Sequence, residues 1–122
     1  MSVNDPDPMP HPNCYVIHEV DASPQAAPVA VHVDHGLIFV LDGWFTMEQQ
    51  FESLSARGTV TIVPAGVPHR PIAGENVDYW LLGFTASGFG FDEAQPIMRL
   101  FADVRLGASP VVQLDRGTQH RL

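Results

Sequence analysis

Residues 58–69 read GTVTIVPAGVPH, and the fold is decided by how this stretch is read. After Gly58 comes TVTIV, five residues that are all β-branched, which favours a pleated strand packed on its neighbours. Pro64, Gly66 and Pro68 then stop the ladder within five residues, and His69 stands just past the turn. A histidine placed in this way, by a strand and a stiff turn, is either a contact for a small molecule or a side chain bonded to a turn carbonyl. The residues alone leave both open.

Moving outward, CYVIHEV (14–20) and VAVHVD (29–34) alternate in polarity, and each predicts a strand. GLIFVLDG (36–43) is an apolar run closed by Asp42-Gly43, the signal of a hairpin turn. WFTMEQQFESL (44–54) predicts one further strand, and HRPI (69–72) and VDYWLLGF (77–84) two more. Seven or so short strands bounded by Gly, Pro, Asn and Asp predict an all-β sandwich or small barrel. The period then changes. PIMRLFADVR places Ile97, Leu100, Phe101 and Val104 on one helical face, with Asp92 and Gln95 forming a capping box and Pro96 in the first turn. SPVVQL (109–114) returns to strand, and Asp115 caps a second helix cut short at Leu122, so the chain is expected to continue.

With 122 residues the chain fits one domain. Residues 1–13 hold four of the eleven prolines and read as an extended arm, leaving 14–122 as the folded domain. The single Cys14 excludes an internal disulfide and reads as an inert thiol. No apolar run approaches the roughly 20 residues of a membrane span, and the acidic, proline-rich start does not match a signal peptide. A soluble, cytoplasmic protein with no membrane partner is the expectation. Six arginines and no lysine face fourteen acidic residues, a net charge of −8. That field repels phosphate backbones, so these residues are expected to bind no nucleic acid.

GTVTIVPAGVPH also fits Gly-x5-Pro-x-Gly-x2-His, and in this it resembles the second motif of the cupin superfamily. The resemblance implies a cupin fold, an all-β double-stranded β-helix or jelly-roll barrel, here with one or two C-terminal helices. In AVHVDHGLIFVLDG (30–43), His32 and Gly43 match the first cupin motif, while Ala30 stands for its first histidine and Gly36 for its glutamate. Ala73 stands for the late asparagine of the second motif. Metal-dependent cupins hold their ion with three histidines and a carboxylate. This chain keeps only His32 and His69, and a catalytic ion generally needs three protein ligands. Asp34 has the parity to replace the carboxylate, whereas His35, an odd number of residues from His32, should face the other way. The expectation is therefore no metal and no cofactor.

VDYWLLGF, the glycine-bearing loop after it, PIMRLF and SPVVQLD resemble the N-terminal sensory domain of AraC-type transcription regulators, over about residues 14–122. This resemblance implies a non-catalytic domain that binds a small-molecule effector, a sugar or a small organic acid, and forms a homodimer. DNA would be bound by a helix-turn-helix pair outside this sequence, and the N-terminal arm would fold over the pocket. The candidate ligand-binding residues are His32, Ile38, Trp44, His69, Tyr79 and Trp80, with Ile38, Val40, Val60 and Ile62 as an apolar wall. A neutral imidazole offers one donor and one acceptor, which suits orienting a hydroxyl or a carboxylate. Trp44, Tyr79 and Trp80 offer flat faces for stacking. Tyr79 and Trp80 are adjacent, so strand parity allows only one of them into the pocket. Arg70 is expected in solvent. No nucleophile with a base, phosphate-binding glycine loop or paired carboxylates appear, so no enzyme is expected. The alternative is a stand-alone cupin enzyme, a metal-dependent oxygenase, decarboxylase or sugar isomerase; a third reading is a storage or interaction domain with an empty barrel.

Overall fold

The computed structural model describes residues 14–85 and 94–115. The predicted arm at 1–13, the cap at Asp92 and the helix following Asp115 lie outside the described residues. Strands β1 (Cys14–Ala22), β2 (His35–Gln49), β3 (Phe51–Ala56), β4 (Thr59–Val63) and β5 (Arg70–Phe84) are followed by helix α1 (Pro96–Arg105) and strand β6 (Val111–Gln113). All pairings are antiparallel, in the order β1-β5-β2-β4-β6 with β3 also on β2.

Asp42-Gly43 makes no hairpin. Strand β2 runs straight through it, with Gly43 at φ 75° and the register against β5 shifting on both sides of Asp42. This is a bulge, which bends a strand and adds twist. Asn76 at φ 49° bends β5 near the same level, and Gly58 at φ 83°, in the turn between β3 and β4, donates its N–H to the Val40 carbonyl. The reversal predicted at Asp42-Gly43 falls instead at Gln50, φ 69°, inside what reads as a single strand; Gln49 there pairs with Phe51. VAVHVD is no strand either, and leaves one isolated bridge between Ala30 and His69, with Val29, Val31 and Val33 exposed.

The bends close the sheet on itself. Ile38 and Met47 are nine residues apart, about 30 Å in an extended strand, yet both line one cavity with Val63 of β4. The extra residue in the bulge also switches the inward parity, from Ile38 and Val40 before it to Phe45 and Met47 after it. Val40, Phe45, Met47, Val63 and Val77 fill the concave side.

On the convex side, Ile62 and Phe84 pack against Met98, Phe101 and Val104 of α1. β4 is buried at all five positions, between the cavity and the helix. Ile62, and with it Val60 by parity, therefore faces the helix and not the pocket wall that the sequence predicts; Val40 lies in the concave core. The buried stripe of α1 is Met98-Phe101-Val104, and Leu100 is 48% exposed because the helix docks along a narrow edge one residue away from it. The side chain of Ile97 lies outside the described residues. Gln95 occupies the N-cap with no side-chain bond, and Pro96 follows it. At the other end Gly107, φ 105°, lets its own N–H reach the Val104 carbonyl and that of Ala108 reach the Asp103 carbonyl, both at 3.0 Å, a Schellman closure. Cys14 is half-buried against the helix-side cluster. No helix among the described residues is long and apolar enough to cross a membrane.

Candidate functional site

The turn at 64–68 is held from three directions. Gly66, at φ 79°, donates its N–H to the His32 carbonyl at 2.8 Å. Ala65 donates its N–H to His35 Nδ1 at 3.0 Å, and its carbonyl accepts from Arg105 Nη2 of α1 at 2.9 Å. Beyond the turn, Ala30 and His69 exchange both backbone bonds, at 2.8 and 3.0 Å. The His69 ring then donates Nδ1–H to the Val67 carbonyl at 3.1 Å. Nδ1 serves the turn, so Nε2 carries the lone pair, free to accept.

That ring borders two adjoining cavities, of about 100 and 250 Å³. The smaller is lined by Tyr15, His32, Asp34 and Gly36 at its polar end, and the larger by Phe45, Pro71 and Tyr79. Ile38, Met47, His69 and Leu81 belong to both. Tyr15 gets in because of Gly83. Register places Tyr15, Gly83, Gly36 and Val63 in one row across four strands, and any Cβ on Gly83 would collide with the Tyr15 ring. Lying over Gly83, the phenol borders the same cavity as the Asp34 carboxylate.

Burial first, and then the Asp34 charge and hydrogen bond, push the Tyr15 hydroxyl above its ordinary 10.0. Burial and then Glu19 do the same to Tyr79. The folded state thus holds these protons longer than the unfolded chain, and the associated stability is complete below pH 10 and lost as pH rises through the raised folded values. Urea midpoints are expected to be level from about pH 8 to 9.5 and to fall above 10. Tyr15→Phe should flatten part of that fall; an identical alkaline slope in the variant would remove Tyr15 as its source.

No family model matches the chain, and no curated protein matches it. Solved structures do. A Neisseria meningitidis protein superposes with a TM-score of 0.50 at 14% identity, over 63% of this chain and 79% of that one. A candidate mannose-6-phosphate isomerase from Ralstonia eutropha JMP134 superposes at 0.51 and 17% identity, over 62% and 77%. Oxalate decarboxylase from Bacillus subtilis follows at 0.47 and 14%, over 90% of this chain and 36% of that one. The chain has the cupin fold. Identities this low carry the fold and nothing of the neighbours' activities.

Within this fold the predicted site residues separate. Ile38, His69 and Tyr79 line the cavities, and His32 lines the smaller one from an exposed rim, its ring centroid 5.1 Å from that of His69. Trp80 lies outside, stacked on His18 at 4.3 Å and 6°, where His18 Nε2 meets Asp78 at 3.1 Å. Parity puts Tyr79 in and Trp80 out. Trp44 borders neither cavity and is 36% exposed, because the bulge beside it reverses which face points inward. Arg70 pairs with Glu48 at 2.7 Å on the surface. The His35 ring packs on Phe101 and Phe84, on the helix side, although the residue borders the smaller cavity. Tyr15, Met47 and Leu81 escape sequence reading. Gly83, which admits Tyr15, lies 68 residues further along the chain, and nothing local links the two.

The cupin ion site does not fit the residues present. Ala30 sits opposite His69 in register, so a methyl occupies one ligand position. At Gly36 an added Cβ would meet Leu81 and Val63 of the cavity wall at 3.6 and 3.7 Å, so a hydrogen occupies the other. Among the described residues no three His, Cys, Asp or Glu side chains gather closely enough to hold an ion.

Proposed function

We propose that this chain is a non-catalytic sensor, the small-molecule effector-binding and dimerisation domain of an AraC-type transcription regulator. One observation carries the reading: an open cavity with a polar end and an apolar body, bordered by His32 and His69, in a chain where Ala30 and Gly36 stand at two positions that the resembling motif of metal-dependent cupins gives to ligands. The turn bearing His69 supports it further, since the Ala65 peptide links that turn to His35 on one side and to Arg105 of α1 on the other. A molecule pressing on His69 therefore acts on a segment tied to the helix, the element through which such a sensor would report.

His69→Ala is expected to weaken binding of whichever molecule a thermal-shift screen selects by about 1–3 kcal/mol, through loss of a half-buried partner. The apo protein should lose about 1 kcal/mol, for the Val67 bond. Unchanged affinity per folded molecule would make His69 a turn residue only. The coding sequence beyond residue 122 tests the family reading, and a helix-turn-helix pair is the expected content. The competing reading, a small metal-dependent cupin enzyme, would be supported by one equivalent of transition metal that survives dialysis and is lost in His32→Ala.

A further inference from the structure

The charge and hydrogen-bonding balance of the cavity narrows what it takes. No arginine lines either cavity among the described residues, and the chain has no lysine. Arg70 is paired with Glu48 on the surface, and Arg105 is bound to the Ala65 carbonyl. Among the described residues the one formal charge on the wall is the Asp34 carboxylate. That carboxylate has acceptor sites to spare, and Tyr15 shares the cavity wall with it. His69 spends Nδ1–H on Val67 and presents an acceptor at Nε2. His32 and Tyr15 add one donor each, so the polar end still holds more acceptors than donors, with a negative charge in a whole chain of net charge −8. A carboxylate entering it meets like charge with no cation to offset it. A sugar hydroxyl supplies one donor at a time. A primary ammonium supplies three donors and the opposite charge.

Beyond the polar end, Ile38, Phe45, Met47, Tyr79 and Leu81 form an apolar body of about 250 Å³. A dry apolar cavity of roughly 150 Å³ holds benzene, so one ring fits here. We infer that the ligand of this cupin is a small primary amine with a compact apolar or aromatic body, its ammonium held by Asp34 and His69 and its body against Ile38, Met47 and Leu81. This deepens the sensor proposal and rests on its reading of the cavity as a binding site. It also replaces the organic acid named among the sequence expectations.

Benzylamine, benzyl alcohol and benzoate, equal in ring and different in head group, are titrated into the full chain at pH 7.5 by calorimetry. Benzylamine is expected to bind at least about tenfold more tightly than benzyl alcohol, the usual margin of a charge-assisted bond, with benzoate weakest. Asp34→Asn should cost benzylamine about tenfold and leave benzyl alcohol within about threefold; Asp34→Glu, which keeps the charge, should recover much of the amine affinity. Far-UV spectra and melting of both apo variants check that they fold. Benzoate binding as well as benzylamine, or an amine affinity indifferent to Asp34→Asn, overturns the amine assignment and leaves the cavity reading standing. Absence of binding by all three overturns both.

Discussion

Gly43→Val is expected to destabilise the protein by about 4 kcal/mol or more, a large share of a typical total of 5–15. Two causes add. The residue sits at φ 75°, where a β-branched side chain is strained, and its Cβ would lie 2.6 Å from the Glu75 carbonyl oxygen and closer still to that of Asn76. Both obstacles are backbone, so no side chain can swing away. Gly66→Ala is the control. Gly66 has a similar φ of 79° but nothing within 4 Å of its Cβ, so only the left-handed cost of roughly 1–2 kcal/mol should appear. Circular dichroism and urea unfolding of both variants decide the matter. A Gly43→Val protein as stable as Gly66→Ala would mean that β2 does not bend against β5 at this level.

Phe101→Ala is expected to cost about 3–5 kcal/mol, the range for deleting a large buried aromatic side chain. Phe101 is 1% exposed, with its ring 4.5 Å from His35 and edge-on to Phe84 at 5.6 Å. Its loss removes the centre of the contact between α1 and the sheet. Because Arg105 of the same helix holds the Ala65 carbonyl, loosening α1 should reach the His69 turn and weaken ligand binding too. Leu100→Ala, one residue away and 48% exposed, should change stability by no more than about 0.5 kcal/mol. Urea midpoints in which Leu100→Ala costs as much as Phe101→Ala would restore the helical face that the sequence predicts.

Local chemistry was enough for much of this molecule. TVTIV is a strand because five β-branched residues fit no other element as well, and VPAGVPH turns because two prolines and a positive-φ glycine permit little else. SPVVQL and PIMRLFADVR likewise become β6 and α1 where their patterns place them. The spacing of Gly58, Pro64, Gly66 and His69 marks the cupin fold because each of those residues answers a backbone requirement set within twelve residues.

Reading failed where a signal depends on a partner distant in the chain. Asp42-Gly43 looks the same whether it reverses the chain or bulges it, and what decides is the carbonyls of Glu75 and Asn76 on β5, thirty-odd residues away. Gln50 turns without glycine or proline, because pairing of β2 with β3 on both sides of it holds it at positive φ. Since that bulge resets strand parity, Trp44 could not be placed by counting, and Ile62 could not be assigned to one of two buried faces until α1 covered the second. The site follows the same division. Sequence alone determined that His69 follows a rigid turn and that Tyr79 and Trp80 point apart. Only the tertiary structure brought Tyr15 across Gly83 to Asp34, because a gap over one glycine in a sheet acquires meaning from the side chain that a neighbouring strand lays into it.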